Sequence, residues 1–139
     1  MVAGMHVRDF EVTDREELRR LATLLMPDDP QPIPENETFF VLDRGDGRLG
    51  GYVDVGTRSF AEGCESSPVA CVEAWYVDED LRGQGWGGKL IAAAEQWARA
   101  KGYRELASDA RITNERSIAA HKALGFTEYE RIVCFAKKL

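Results

Sequence analysis

Hydrophobic and polar positions follow strand-like and helix-like periods, which divide the first half of the chain into elements. Apolar and polar residues alternate from Met5 to Val12, which predicts a strand. Apolar residues spaced for one helical face follow, with Thr13 and Glu16 as a predicted capping box, and end near Pro27. Two further strands, over 38–42 and 49–55, flank Arg44-Gly45-Asp46-Gly47, which is typical of a hairpin turn.

The second half alternates strand-like and helix-like segments. The pattern predicts a strand over Pro68–Val77, a helix over Lys89–Ala100, a short strand over Glu105–Ala110, a helix from Asn114 to Gly125 and a final strand over Thr127–Lys137. The resulting order, β-α-β-β-β-α-β-α-β, predicts an α/β fold in which one mixed sheet carries helices on both faces.

Composition narrows the class of protein. The 139 residues suffice for one domain, which we place at 1–139, and 44% apolar and 30% charged residues are typical of an ordinary globular protein. No apolar run approaches the roughly 20 residues of a membrane span, and the N-terminal residues lack the long apolar core of a secretory signal. Three cysteines without metal-ligand spacing indicate reduced thiols, no metal site and a cytoplasmic location.

The net charge is −6 at pH 7, which argues against nucleic acid as a partner, because binding nucleic acid relies on a basic surface. An acidic surface can attract a cationic substrate. It can equally serve solubility alone, and charge by itself favours that interpretation.

The stretch Arg82-Gly83-Gln84-Gly85-Trp86-Gly87-Gly88 joins a predicted strand to a predicted helix. A glycine-rich turn at such a junction exposes backbone N–H groups, which favours binding of phosphate oxygens. Three patterns fit these residues: the dinucleotide fingerprint Gly83-x-Gly85-x-x-Gly88 with Asp109 about 20 residues on, the near P-loop Gly83-x4-Gly88-Lys89, and the acyl-CoA pattern Arg82-x-x-Gly85-x-Gly87.

Two of the three patterns conflict with their surroundings. Leu90 stands where a P-loop needs a hydroxyl for Mg²⁺. The polar link from Asp78 to Arg82 separates the strand from the first glycine, and about 30 residues after Asp109 are too few to complete a doubly wound sheet. The acyl-CoA pattern remains.

Arg82-x-x-Gly85-x-Gly87 resembles the pyrophosphate loop of the GCN5-related N-acetyltransferase (GNAT) superfamily, and the order of elements resembles the fold of that family over nearly the whole chain. Asn114-x4-Ala119-x-His121-Lys122-Ala123-Leu124-Gly125-Phe126 resembles its second motif. The chain is most similar to bacterial aminoglycoside 6′-N-acetyltransferases. That similarity rests on Ser67-Pro68-Val69-Ala70, Val72-Glu73, Ala107-Ser108-Asp109-Ala110 and Gly125-Phe126-x-Glu128-x-Glu130-Arg131.

The resemblance implies a binding mode for acetyl-CoA, the co-substrate. Backbone groups of Trp75, Tyr76 and Val77 would pair with the pantetheine arm as a neighbouring strand does. The loop residues Arg82, Gly83, Gln84, Gly85, Trp86, Gly87 and Gly88 would hold the pyrophosphate, with Gly85 and Gly87 allowing close approach. Asn114 matches a CoA-contacting residue and fits a plain helix N-cap equally.

Transfer to an amine needs a base and a proton for the departing thiolate. By resemblance, Asp109 is the base, and Glu73 is a substrate ligand that shares this role or else has a structural or water-relay role. His121 stands where the family usually has a proton-donating tyrosine. An imidazole can donate a proton near neutral pH, but an inward-facing histidine often has a purely structural role.

The acceptor implied by this resemblance is a polycationic aminoglycoside. Carboxylates of Glu73, Asp109 and Glu130 match acidic positions of the subgroup, although Glu130 also fits a solvated strand position. Phe60 and Met26 match positions where aromatic residues pack on the sugar. Met26 replaces the expected tryptophan, and the segment 27–37 lacks the usual second helix, which leaves the acceptor preference open.

Three hypotheses follow. The first is an enzyme that acetylates the 6′-amine of aminoglycosides in a ternary complex and so confers antibiotic resistance. The second acetylates another amine, such as a polyamine or a protein N-terminus. The third is an acyl-CoA sensor without turnover, which Glu73 and Asp109 argue against, because a sensor needs no base. Subgroup members often form homodimers through their last strands.

Overall fold

A five-stranded mixed sheet forms the centre of the protein. The computed structural model describes residues 4–28 and 33–139. The strands are β1 (His6–Asp9), β2 (Thr38–Asp43), β3 (Leu49–Arg58), β4 (Val69–Val77) and β5 (Leu106–Ala107). They lie side by side in chain order, antiparallel except for the parallel pair β4 and β5. The predicted hairpin between β2 and β3 is therefore confirmed.

Helices cover both faces of this sheet: α1 (Arg15–Leu25), α2 (Trp86–Ala100) and α3 (Glu115–Ala123). On one face, Leu18 and Leu21 of α1 pack with Phe39, Val41 and Tyr52 of the sheet. On the other face, α2 completes a core of the apolar side chains Leu42, Val53, Val55, Leu90, Ile91 and Ala94. The predicted α/β architecture with two covered faces is confirmed, and none of the described helices is long and apolar enough to cross a membrane.

Two element starts differ from the prediction. A 3₁₀ turn, Val12–Asp14, precedes α1, and the reciprocal cap uses Asp14, which accepts a hydrogen bond from the Glu11 N–H at 2.8 Å, rather than Thr13 and Glu16. Arg8 fixes Asp14 by two further hydrogen bonds of 2.7 and 2.9 Å. Helix α2 begins at Trp86, three residues before the predicted start, so the glycine loop already contains its first turn.

The predicted final strand is wrong for a single chain. No strand is assigned from residue 126 to residue 139, and the apolar side chains there are exposed: Tyr129, Ile132, Val133 and Phe135. Likewise β5 is only Leu106–Ala107 rather than Glu105–Ala110. Strand-like alternation in a sequence requires a pairing partner to become a strand, and within the described residues this segment has none.

Two irregularities of β4 prepare the site. Asp54 of β3 pairs with Ala74 and Val55 pairs with Val72, so Glu73 is the extra residue of a β-bulge. Pairing with β5 is limited to Ala70 with Leu106 and Cys71 with Ala107. Beyond these two pairs, the edge of β4 that faces away from β3 has no strand beside it among the described residues. We refer to this opening, from Val72 to Val77, as the β4–β5 gap.

Close packing between β3 and β4 generates the first prediction. A Cβ at Gly51 would lie 2.6 Å from the Tyr76 carbonyl oxygen and 3.2 Å from the Val77 Cα. Because both are backbone atoms, the strands must separate, and we expect Gly51→Ala to lower the free energy of unfolding by about 3 kcal/mol in urea titrations. Gly4→Ala is the control, since nothing lies within 4 Å of that position. Equal stability of the two variants would contradict this packing.

Candidate active site

The glycine loop presents its backbone to open space at the start of α2. Gly83 and Gly85 have φ of 77° and 89°, a region that favours glycine, and nothing lies within 4 Å of a Cβ built on either. Gly85 is also the N-cap of α2 and has no side chain to cap the helix. The unpaired N–H groups and the helix dipole at this end fit the pyrophosphate of CoA.

Gly87 and Gly88 lie close to side chains of the protein itself. A Cβ at Gly87 would lie 3.1 Å from the Trp75 ring, and a Cβ at Gly88 would lie 3.1 Å from Leu124. The Trp75 indole N–H also donates to the Gly87 carbonyl at 3.2 Å. Gly87 thus seats the first turn of α2 on β4, and its role in close approach of the ligand stays a prediction.

Side chains of the loop brace it against β4. The Arg82 Nε donates to the Val77 carbonyl at 2.8 Å, and its guanidinium lies 5.5 Å from the centre of the Tyr76 ring. The Gln84 amide donates to the Asp80 carbonyl at 3.1 Å, and the Lys89 ammonium lies 4.4 Å from the Trp86 ring centre. These contacts hold the loop next to the half-buried end of β4 that borders the gap.

Of the two candidate catalytic carboxylates, Glu73 forms an ion pair with Arg58, and Asp109 lies near enough for its charge to act on the same cation. Glu73, half-buried at the bulge, accepts two hydrogen bonds from Arg58 at 2.8 and 2.6 Å. The pKa of Arg58 is raised, chiefly by this Glu73 contact and also by the charge of Asp109, which is exposed just after β5. The structure thus brings Glu73 and Asp109 to the same end of the gap. Sequence reasoning missed Arg58, whose signal was a cation ending an apolar strand.

His121 is fixed in α3 at the same end of the gap. Its Nδ1 lies 2.7 Å from the Ser117 carbonyl oxygen, and its Nε2 lies 2.7 Å from the Ser108 hydroxyl. The rings of Trp75 and Phe126 contact the imidazole edge-on, with centroid distances of 5.2 and 5.1 Å. Asn114 accepts a hydrogen bond from the Ser117 N–H at 3.1 Å and so caps α3, the alternative that its position had left open.

The remaining predicted acceptor residues are exposed and lie in three separate segments of the chain. Phe60, 67% exposed, lies in the loop 59–67, and Met26 is exposed at the C-terminal end of α1. Glu130 is exposed, and its neighbour Tyr129 packs over Gly63 of the Phe60 loop. Of the segment 27–37, residues 29–32 lie outside the described residues.

A buried acidic pair escaped the sequence analysis. Asp54 is only 6% exposed, and among the described residues neither its Oδ1 nor the Glu37 Oε2 has a hydrogen-bond partner. Burial first, then Glu37 and Glu73, raise the pKa of Asp54 well above the ordinary range of a carboxyl. An aspartate within the apolar run Tyr52-Val53-Asp54-Val55 was the signal.

This acidic pair predicts a specific pH dependence of stability. Folded Asp54 retains its proton at pH values where the unfolded chain has lost it, so stability falls as pH rises from about 4 towards the raised pKa. We expect Asp54→Asn to raise the free energy of unfolding by about 1–3 kcal/mol at pH 8.5 and by less at pH 5, in urea titrations. The exposed Asp46→Asn is the control. Parallel pH profiles for wild type and Asp54→Asn would refute the raised pKa.

Comparison with known proteins identifies the family. A model described as the Acetyltransferase (GNAT) family matches residues 5–126. An aminoglycoside N(6′)-acetyltransferase type 1 of Stenotrophomonas maltophilia is 37% identical over 142 residues, covering 96% of this chain and 93% of that relative. An enzyme of the same name from Klebsiella aerogenes is 47% identical over 94 residues. The aligned part covers 68% of this chain and 62% of that relative.

Solved structures of similar proteins have the same fold as this chain. The aminoglycoside acetyltransferase AAC(6′)-Iy, in complex with the bisubstrate analogue CoA-S-monomethyl-acetylneamine, superposes with a TM-score of 0.89 at 32% identity, covering 99% of this chain and all of that one. AAC(6′)-Ih from Acinetobacter baumannii gives a TM-score of 0.86 at 27% identity, covering 98% and 99%. The glycine loop, the β4–β5 gap and the family model therefore lead to one conclusion: this chain belongs to the GNAT family of acetyltransferases.

Proposed function

We propose that this protein transfers the acetyl group of acetyl-CoA to the 6′-amino group of aminoglycosides, by direct attack of the amine in a ternary complex. One observation carries the proposal. The β4–β5 gap has a glycine-rich helix start at its outer end and the carboxylates Glu73 and Asp109 at its inner end. A donor that is anionic at one end and reactive at the other fits this polarity. The relatives named above are aminoglycoside 6′-N-acetyltransferases.

The donor end uses backbone groups for recognition. The amides from Gly83 to Gly88 and the N-terminal end of α2 hold the pyrophosphate. The exposed edge of Trp75, Tyr76 and Val77 pairs with the amide-bearing pantetheine arm, which takes the place of the missing strand. Arg82, Gln84 and Trp86 brace the loop. The resemblance supports a contact of Asn114, which also caps α3, with the donor.

The acceptor end uses negative charge. Ammonium groups of the acceptor bind Glu73, Asp109 and Glu130 through charge-assisted hydrogen bonds. Phe60 and Met26 supply exposed apolar surface for the sugar ring. Because Arg58 neutralises much of the charge on Glu73, Asp109 is the carboxylate left to take the proton of the attacking amine, while Glu73 orients it. His121 serves the departing sulfur.

The first test separates this acceptor from other amines. We expect release of free CoA with kanamycin and tobramycin, little release with spermidine or a peptide, and no resistance to an aminoglycoside that carries a 6′-hydroxyl. The measurements are a thiol-release assay and growth inhibition of bacteria that express the protein. Turnover with spermidine but not kanamycin would move the proposal to another amine, and no thiol with any amine would favour the sensor.

The second test addresses the base. We expect Asp109→Asn to lower kcat by about 10²-fold or more, because the neutral amide cannot accept a proton, and Glu73→Gln chiefly to raise KM for the aminoglycoside. Glu16→Gln, which removes an exposed carboxylate on α1, is the charge-matched control. Unchanged kcat in Asp109→Asn across pH 6–9 would remove Asp109 from the role of base.

The proposal includes a homodimer in the cytoplasm. The location rests on free Cys64, Cys71 and Cys134 together with a CoA donor. The dimer rests on the segment 127–139, which carries a strand-like pattern and exposed apolar residues, Phe135 being 92% exposed. A second support is β5, which is an edge strand of the sheet. Pairing of this segment with a second copy supplies the partner that a strand needs.

Sedimentation equilibrium tests the dimer. We expect a mass of twice 15.5 kDa for the wild type and a shift towards the monomer for Phe135→Glu, because a buried charge opposes association. The control is Val12→Glu, which puts the same charge on an exposed apolar residue in the turn after β1, the edge strand opposite β5. A monomeric wild type at micromolar concentration would contradict the dimer.

A further inference from the structure

Ser108 lies at the vertex of the β4–β5 gap, which is the point where β4 and β5 separate. Ala107 is the last residue of β5 that pairs with β4, opposite Cys71, and Ser108 follows it directly. On the other side of the vertex stand Val72 and the bulge residue Glu73. A donor that fills the gap from the glycine loop inwards ends at this vertex. The half-buried Ser108 hydroxyl is therefore among the groups nearest to the thioester.

The hydrogen bonds of His121 fix which ring nitrogen carries the proton. A carbonyl oxygen only accepts, so Nδ1, 2.7 Å from the Ser117 carbonyl, is the protonated nitrogen of the neutral ring. Its Nε2 then has a lone pair and accepts the hydrogen bond of the Ser108 hydroxyl at 2.7 Å. The Ser117 hydroxyl, 3.4 Å from Nδ1, lies on the side of the ring away from Ser108.

This geometry separates His121 from the reacting atoms by one hydroxyl. The groups that pack on the imidazole are Trp75 from β4, Phe126 after α3, and the two serines, and none of them carries a charge in the part of the chain that the structure describes. The aromatic rings restrict rotation of the imidazole. Among the described residues the Ser108 oxygen, 2.7 Å away, is the hydrogen-bond partner of Nε2, and it is therefore the direct route for a proton on that nitrogen.

We propose that Ser108 is a catalytic residue, whose hydroxyl passes a proton from the imidazolium of His121 to the sulfur of the departing CoA. The inference rests on the proposed acetyl transfer and deepens it. His121 becomes a positioning residue and proton reservoir that acts through Ser108. The sequence had suggested His121 as the direct donor, by analogy with a longer tyrosine, whereas Ser108 supplies the reach that the shorter imidazole lacks.

Protons and electron pairs balance in this proton transfer. When the bond between the acetyl carbon and sulfur breaks, sulfur keeps the electron pair and takes the hydroxyl proton of Ser108. The Ser108 oxygen takes the Nε2 proton of His121 in the same movement, which leaves neutral imidazole with its proton on Nδ1. The acceptor nitrogen loses two protons as its ammonium becomes an amide. One of these equals the proton gained by sulfur, so the imidazolium is restored from solvent while the net reaction releases one proton.

Kinetics of four variants test the relay with acetyl-CoA and kanamycin. We expect Ser108→Ala to lower kcat by about 10²-fold with KM for acetyl-CoA within about threefold, the range of a lost proton-transfer group. Ser108→Thr keeps the hydroxyl and should restore kcat to within about tenfold of the wild type. The double variant Ser108→Ala/His121→Ala should be no slower than the slower single variant, because the two residues act as one unit. Thr23→Ala, which removes an exposed hydroxyl on α1, should match the wild type.

Two readouts exclude a purely structural role. The pH profile of kcat should lose the same limb in Ser108→Ala and His121→Ala and recover it in Ser108→Thr, whereas a packing defect lowers the whole profile. Nitrogen-15 NMR of the histidine ring should show the neutral tautomer protonated on Nδ1.

A neutral tautomer protonated on Nε2, or full activity of Ser108→Ala at every pH, would overturn the relay. Additive losses in the double variant would also overturn it, because they would mean that the two residues act separately. If the wild type itself released no CoA with any amine, the acetyl-transfer proposal would fail. In that case the NMR tautomer would still test the geometry on which the relay rests.

Discussion

The separation of β4 from β5 after two residue pairs is the constraint on which the site depends. Backbone N–H and C=O groups at a sheet edge need hydrogen-bond partners, and the open edge of β4 can bind a ligand that supplies them. The other features of the site lie around this open edge. The bulge at Glu73 turns β4 at the vertex, the glycine loop closes the outer end, and α3 places its imidazole beside the opening. The fold thus leaves room for one more strand beside β4, and an extended ligand with amide groups can form the same hydrogen bonds.

Electrostatics at the inner end follow a different rule from those at the outer end. The donor loop attracts charge with backbone dipoles, which stay fixed at any pH. The acceptor end relies on carboxylates that differ in state: Glu73 is paired with Arg58, Asp109 is exposed, and Asp54 is buried with a raised pKa beside Glu37. Carboxylates placed in unlike environments can take unlike roles, and these three differ in pairing, exposure and burial.

Local sequence patterns predicted most of the elements because each pattern is satisfied within its own neighbourhood. The hairpin, the apolar stripe of α2 and the Asn114 cap of α3 depend on residues a few positions apart. Predictions failed where the outcome depended on distant partners. The segment 127–137 alternates like a strand but pairs with no strand among residues 4–28 and 33–139. Asp14 rather than Thr13 caps the first turn because Arg8 fixes its carboxylate. Resemblance named Glu73, Asp109 and His121. Arg58 and Asp54 stand out in the sequence as charged residues in apolar strands, but their partners, like the contact of Ser108 with His121, became visible only in the structure.

Trp75 ties the two ends of the gap together. One edge of its indole bonds to the Gly87 carbonyl in the first turn of α2, and the same ring contacts the His121 imidazole. The first turn of α2 and the imidazole of α3 therefore share one rigid spacer. Because both contacts run through the same indole, a displacement of either helix would strain the contact with the other. A substitution of Trp75 would for the same reason loosen the glycine loop and His121 together.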